Sequence, residues 1–269
     1  AALMIRQASF HVNNKIAEIK KSRSLLNIKS LSALDDQGLP ALRDINLTVH
    51  TGEILGIAGV SGNGQKQLAE TLCGVRNCTE GEIKLDGITL NGKTAGEFTT
   101  SGMGRIPEDR LEGVVGELTV QENLALEHLY QFSNKGFLNH KAIQKHANEL
   151  IVQYQIKARP GDRIRTLSGG NVQKVLLARV LSTQPKIVIA PQPTRGLDVG
   201  AADYVRQQLL EQRNRGAGVI LISEDLDEIL ALSDRIAVMY EGKIVGVLDA
   251  SEANPERLGL LMSGAVKEM

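Results

Sequence analysis

A strand-like run, Glu53 to Ala58, follows the Thr51-Gly52 turn and passes directly into the glycine cluster Gly59-Val60-Ser61-Gly62-Asn63-Gly64-Gln65-Lys66. Beyond it, Gln67 to Leu72 carries apolar residues at helical spacing. Strand, glycine loop and helix in that order constrain the chain more than any other feature. Glycines let successive backbone N–H groups curl around an anion, and the helix N-terminus adds partial positive charge. The side chains do not complete the pattern. A phosphate loop of the form G-x-x-x-x-G-K-[ST] wants Lys where Gln65 stands and Ser or Thr where Lys66 stands. Lys66 falls one position late, about 100° round the helix axis, so it replaces the missing lysine only if the loop rearranges. Taken alone, the segment is equally compatible with a glycine turn that holds no ligand.

Around this core, Leu26 to Leu31 and Ile45 to Val49 read as strands, and Gly81 to Gly87 as a hairpin strand with its turn. The stretch from Thr119 to about Ser182 reads as mostly helical, opened by Thr119 and Glu122 at capping-box spacing. Strands follow at Lys186 to Ala190, Val219 to Ser223, Ile236 to Tyr240 and Ile244 to Leu248, around a helix near Ala201 to Arg213. Such alternation predicts an α/β fold whose parallel sheet is covered on both faces. Residues 8–23 are polar and weakly periodic, like a tether. The expected organisation is a linker at 1–24, a folded domain at 25–250 with a helical subdomain at about 115–183, and a C-terminal tail at 251–269.

Charge and composition narrow the partners. Lys plus Arg number 31 and Asp plus Glu number 31, so no positive field favours nucleic acid. No apolar run approaches the roughly 18–20 residues of a membrane span. Cys73 and Cys78 have no second cysteine or histidine pair nearby to complete a zinc site, and reduced thiols are expected. Trp is absent and aromatic residues make up 3% of the chain, which disfavours a base-stacking platform. Recognition rests on backbone and polar groups.

Two further segments change the reading of the glycine loop. Leu167-Ser168-Gly169-Gly170-Asn171 precedes a helix-like run, and Pro193-Thr194-Arg195-Gly196-Leu197-Asp198 follows. In this order with the loop Gly59 to Gln67, they resemble an ATP-binding cassette (ABC) nucleotide-binding domain over residues 25–250. The resemblance implies a P-loop-type parallel sheet core with an antiparallel β subdomain and an inserted α-helical subdomain. By it, Leu167 to Asn171 are the signature motif and Gly196, Leu197 and Asp198 the D-loop. Residues 1–24 would then be the tail of a preceding cassette. Pro-Glu-Asp-Arg at 107–110, Gln-Pro-Thr-Arg-Gly-Leu-Asp at 192–198 and Ser-Glu-Asp-Leu at 223–226 resemble the second cassette of tandem importers for sugars and nucleosides, with a leaning toward the nucleoside subgroup.

The departures from that family are informative. Where its strand ends in Asp-Glu-Pro-Thr, this one ends in Pro191-Gln192-Pro193-Thr194, so magnesium support and base are both missing. Gln192 can hold a water but lacks carboxylate basicity, and general-base assistance of about 10²–10⁴-fold is lost. Glu108 stands at the Q-loop glutamine and Glu224 at the switch histidine. The expectations are ATP weakly bound or unhydrolysed in this half, with magnesium in doubt, and a signature that serves a partner's site. Glu108 or Glu224 taking over magnesium while Lys66 re-aims is the alternative within the family. The implied partners are the N-terminal cassette of the same polypeptide, transmembrane permease subunits and, indirectly, a solute-binding protein, at the cytoplasmic face of the membrane. A ribosome- or DNA-directed adaptor is the rival class. An adenine-stacking aromatic is expected near Ala33 or Leu34 and is absent from both. Leu124, Leu126, Leu129 and Phe132 read as helical core.

Overall fold

Alternating burial along short apolar strands sets the architecture. In the computed structural model, which describes residues 23–134 and 136–265, the N-terminal part runs β1 (Ser24–Leu34), β2 (Pro40–His50), β3 (Ile54–Ala58), α1 (Gln65–Leu72), β4 (Glu80–Leu85), β5 (Ile88–Thr89), α2 (Ala95–Ser101) and β6 (Met103–Arg105). The inserted block holds α3 (Val120–Ala125), the small hairpin β7 (Ser133–Asn134) and β8 (Phe137–Leu138), α4 (His140–Gln153) and α5 (Gly169–Leu181). The chain then returns through β9 (Ile187–Pro191), α6 (Val199–Asn214), β10 (Gly218–Ser223), α7 (Leu226–Leu232), β11 (Arg235–Tyr240), β12 (Lys243–Asp249) and α8 (Pro255–Met262).

The central sheet has the order β12-β11-β3-β10-β9-β6. All its pairings are parallel except β11 with β12. Because side chains alternate across a strand, each central strand feeds two cores. Leu55 and Ile57 of β3, Ile187 and Ile189 of β9, and Ile220 and Ile222 of β10 face one apolar cluster. Ile54, Ala58, Val188, Ala190, Val219 and Leu221 face the other. The first cluster is closed by a second, antiparallel sheet of order β2-β1-β4-β5, with Leu68 and Leu72 of α1. The second is closed by helices, α5 contributing most of its apolar residues. The expected two-sided cover is present, with a β-sheet rather than helices over most of one side.

The helical block differs from its expectation in two ways. After Ala125 the helix tightens into 3₁₀ turns over Leu126–Phe132, with His128 off helical geometry at φ −129°. The kink at His128 breaks the run between Leu126 and Leu129. Leu124 is fully buried, whereas Leu126, Leu129 and Phe132 are only half-buried. The hairpin of β7 and β8 then interrupts the helices.

The described chain carries regular structure on the far side of both expected boundaries. Ser24 already opens β1, while the rest of the expected linker lies outside the described residues except Arg23. The segment after 250 is not a tail throughout. Asn254 caps α8 by accepting from Arg257 N–H, Pro255 occupies its first turn, and Leu258 and Leu261 enter the helix-covered core.

Candidate functional site

The glycine loop is a rigid turn. Gly62 (φ 88°) and Gly64 (φ 105°) are left-handed, and a Cβ on Gly64 would lie 2.6 Å from the Ala41 carbonyl oxygen. Asn63 ties the loop to the β11–β12 turn: its side-chain oxygen accepts from Glu241 N–H at 2.7 Å, and its carbonyl accepts from Gly242 N–H at 3.0 Å. Gln65, at the position a lysine would fill, folds back and donates from Nε2 to the Val60 carbonyl at 2.9 Å. Lys66 follows on the first turn of α1, its side chain 65% exposed and its Nζ 3.8 Å from Glu70 Oε1. Gly59 is buried beneath the loop, while Val60 and Ser61 are exposed at its crest.

This loop forms one wall of a cleft of about 260 Å³, lined by Ser61, Gly62 and Gly64 to Gln67 and, opposite, by Glu108, Pro191, Gln192, Ile222 and Glu224. The three positions singled out from sequence as departures therefore converge on the loop. Gln192 is left-handed (φ 46°) and donates its N–H to the Ile222 carbonyl at 2.7 Å. Its Oε1 accepts a long hydrogen bond from Glu224 N–H at 3.4 Å. Glu108 is paired with Arg195 at 3.2 Å. Among the residues lining the cleft, Lys66 is the one cation against the carboxylates Glu108 and Glu224.

The residues expected to form a signature motif lie outside this cleft. Ser168 stands at the N-cap of α5, yet its hydroxyl makes no capping bond; it accepts from Asn171 Nδ2 at 3.0 Å, leaving its O–H free to donate. Asn171 is fixed in turn by Lys157 N–H, at 2.8 Å. Ser168 and Gly169 are exposed, Gly170 and Asn171 half-buried, and Leu167 packs on the core. Asp198 caps α6 through Ala201 N–H at 2.9 Å, Leu197 anchors the same stretch to the core, and Gly196 is left-handed at φ 65°.

Sequence reasoning did not single out the side chains that bind these loops together. Arg110 donates to the carbonyls of Arg195 and Gly196 at 2.9 and 3.1 Å. Thr194 donates to Glu228 Oε1 at 2.8 Å, and Arg206 Nε lies 3.2 Å from the same buried oxygen. Burial of Glu228 inside α7 makes that contact obligatory, but nothing in spacing marks it. At the position of a base-stacking ring, Ala33 is buried and Leu34 is aliphatic. Both cysteines are free; burial pushes the Cys73 thiol up to about 12, and Cys78 accepts from Asn91 Nδ2 at 3.1 Å. Among the described residues no group of three or more His, Cys, Asp or Glu is placed to hold a metal, and no helix is long and apolar enough to cross a membrane.

Residues 42–195 match the family model for ABC transporters. The chain belongs to the ABC transporter family. It is 41% identical to a glucose import ATP-binding protein of Haloferax volcanii, over 98% of this chain and 49% of that protein. It is 40% identical to a guanosine import ATP-binding protein of Bacillus subtilis, over 100% of this chain and 53% of that protein. The chain thus spans about half the length of these curated relatives. A nucleotide-free ATP-binding cassette from an ABC transporter superposes with a TM-score of 0.73 at 22% identity, over 89% of this chain and 95% of that one, and shares the fold.

Proposed function

We propose that this chain is one ATP-binding half of an importer for sugars or nucleosides, with a degenerate nucleotide pocket of its own and an intact signature that completes a partner cassette's pocket. The observation that carries this reading is an asymmetry between two surfaces of one chain. In the cleft, the phosphate-loop amide of Gln65 is spent on Val60, Gln192 takes the place of a base, and Glu108 and Glu224 bring negative charge. At the start of α5, the Ser168 hydroxyl and the Gly169 backbone remain exposed at a helix N-terminus.

Phosphoryl transfer is positioning plus neutralisation of charge, and the donor set of the cleft supplies little of the second. The backbone still offers the turn an anion needs, so the pocket fits a weakly held phosphate better than a magnesium-bound triphosphate. The exposed signature suits a role across a dimer seam. A chain spanning half the length of import ATP-binding relatives fits one of two cassettes in a single polypeptide. On this reading its partners are the N-terminal cassette, transmembrane permease subunits and, through them, a solute-binding protein. It works at the cytoplasmic face of the membrane and uses no nucleic acid.

The test is Ser168→Arg in the assembled transporter. A guanidinium at the exposed N-cap blocks approach of a partner's phosphate, so ATP turnover should fall by at least about 10²-fold while this chain still melts cooperatively. Unchanged turnover would remove the role in trans.

A further inference from the structure

We infer that Arg110 is a positioning residue that locks the signature motif to the D-loop, and so sets the geometry of the site this chain completes in its partner. The inference rests on the proposed trans role and adds a residue to it. The guanidinium is forked, its Nη1 donating to the Arg195 carbonyl at 2.9 Å and its Nη2 to the Gly196 carbonyl at 3.1 Å. Its other side is laid against the signature. A Cβ on Gly169 would lie 3.3 Å from Arg110 Nε, and a Cβ on Gly196 would lie 3.3 Å from Nη2. Glycine at both positions makes room for one planar cation between two functional loops.

The loop that carries Arg110 is itself fixed to the signature helix. Arg179, on α5, donates to the Gly113 carbonyl at 2.7 Å, and a Cβ on Gly113 would meet Leu176 of α5 at 3.0 Å. Residues 107–113 and α5 therefore form one body, and Arg110 ties it to the 195–196 stretch. The Glu108–Arg195 ion pair is a second link, but it joins exposed side chains and is soft. Arg110 grips main-chain carbonyls, which cannot swing away. A lysine in its place donates from a single nitrogen on a flexible stem and has no planar fork, so it cannot match the two carbonyls with the paired bonds of the guanidinium.

The experiment compares ATP turnover of the assembled transporter carrying Arg110→Ala, Arg110→Lys or Ser168→Arg in this half. Loss of the lock misplaces the signature by a fraction of an ångström to an ångström, a loss felt in the transition state more than in binding. Arg110→Ala should lower kcat by about 10–100-fold with the KM for ATP within about twofold, and Arg110→Lys should fall between it and the wild type. If Arg110→Ala does not fold, Arg110→Lys decides: wild-type kcat overturns the forked lock, and reduced kcat at unchanged KM supports it. Wild-type kcat in Arg110→Ala with collapse in Ser168→Arg overturns the role of Arg110 alone. No effect of Ser168→Arg overturns the trans reading and this inference with it. A rise in KM at constant kcat would place Arg110 in nucleotide binding and also overturns it.

Discussion

Gln65 donates along the loop to Val60, where the pattern of a phosphate loop would place an ammonium. The difference is one unit charge close to a polyanion. A pair of unit charges about 4 Å apart at an effective dielectric near 20 interacts by roughly 4 kcal/mol, so exchanging a cation for an amide removes attraction of that order. Glu108 and Glu224 add repulsion from the facing wall, and Lys66 lies near Glu70 instead of standing in the lysine position. The backbone, by contrast, is kept. Gly64 holds φ 105° with the Ala41 carbonyl oxygen pressed against its missing side chain. Gly64→Ala should therefore cost at least about 2 kcal/mol, the sum of left-handed strain and the clash. Equilibrium denaturation of the two proteins measures it, and an unchanged midpoint would show that the loop is softer than its geometry implies.

At the scale of elements, the turn chemistry that starts each helix was legible in the sequence to very different degrees. The Thr119–Glu122 box is formed as its spacing predicts: Thr119 N–H and Oγ1 donate to Glu122 Oε2 at 2.7 and 2.6 Å. An identical signal, Thr94 with Glu97, opens α2 and would have revealed that helix. Asn254-Pro255 marks the start of α8, which the polar composition after residue 250 conceals. The 3₁₀ stretch and the β7–β8 hairpin were hidden because a run this short has no period of its own to read. The bonds from the Thr119 side chain and backbone hold the Glu122 carboxyl below its usual range. A carboxylate lowered on folding contributes stability above its unfolded pKa and loses it as pH falls through the folded value. Thr119→Ala should cost about 1 kcal/mol near neutral pH. The gap between variant and wild type should narrow in acid as Glu122 becomes protonated. Parallel pH curves would mean that the box contributes nothing through its charge.

Across the whole molecule, the cleft beside the glycine loop and the exposed start of α5 are separate surfaces of one fold. The central strands could be read from sequence because apolar runs buried on both faces leave a strong pattern, and β9 and β10 fall within a residue or two of their expected limits. Convergence of Glu108, Gln192 and Glu224 on the glycine loop could be read only through resemblance, since 32 residues separate even Gln192 from Glu224. The arginine lock was not legible at all, because its acceptors are backbone carbonyls that carry no residue signature. What the fold delivers is a cleft with one cation against two carboxylates and, apart from it, an exposed helix N-terminus whose Ser168 hydroxyl accepts from Asn171. The most direct test of that division is magnesium-dependent phosphate release from ATP by the purified 269-residue chain, beside its Gln192→Ala variant. Release by both proteins should be indistinguishable from the enzyme-free rate. Sustained turnover by the unmodified chain, abolished by Gln192→Ala, would contradict it.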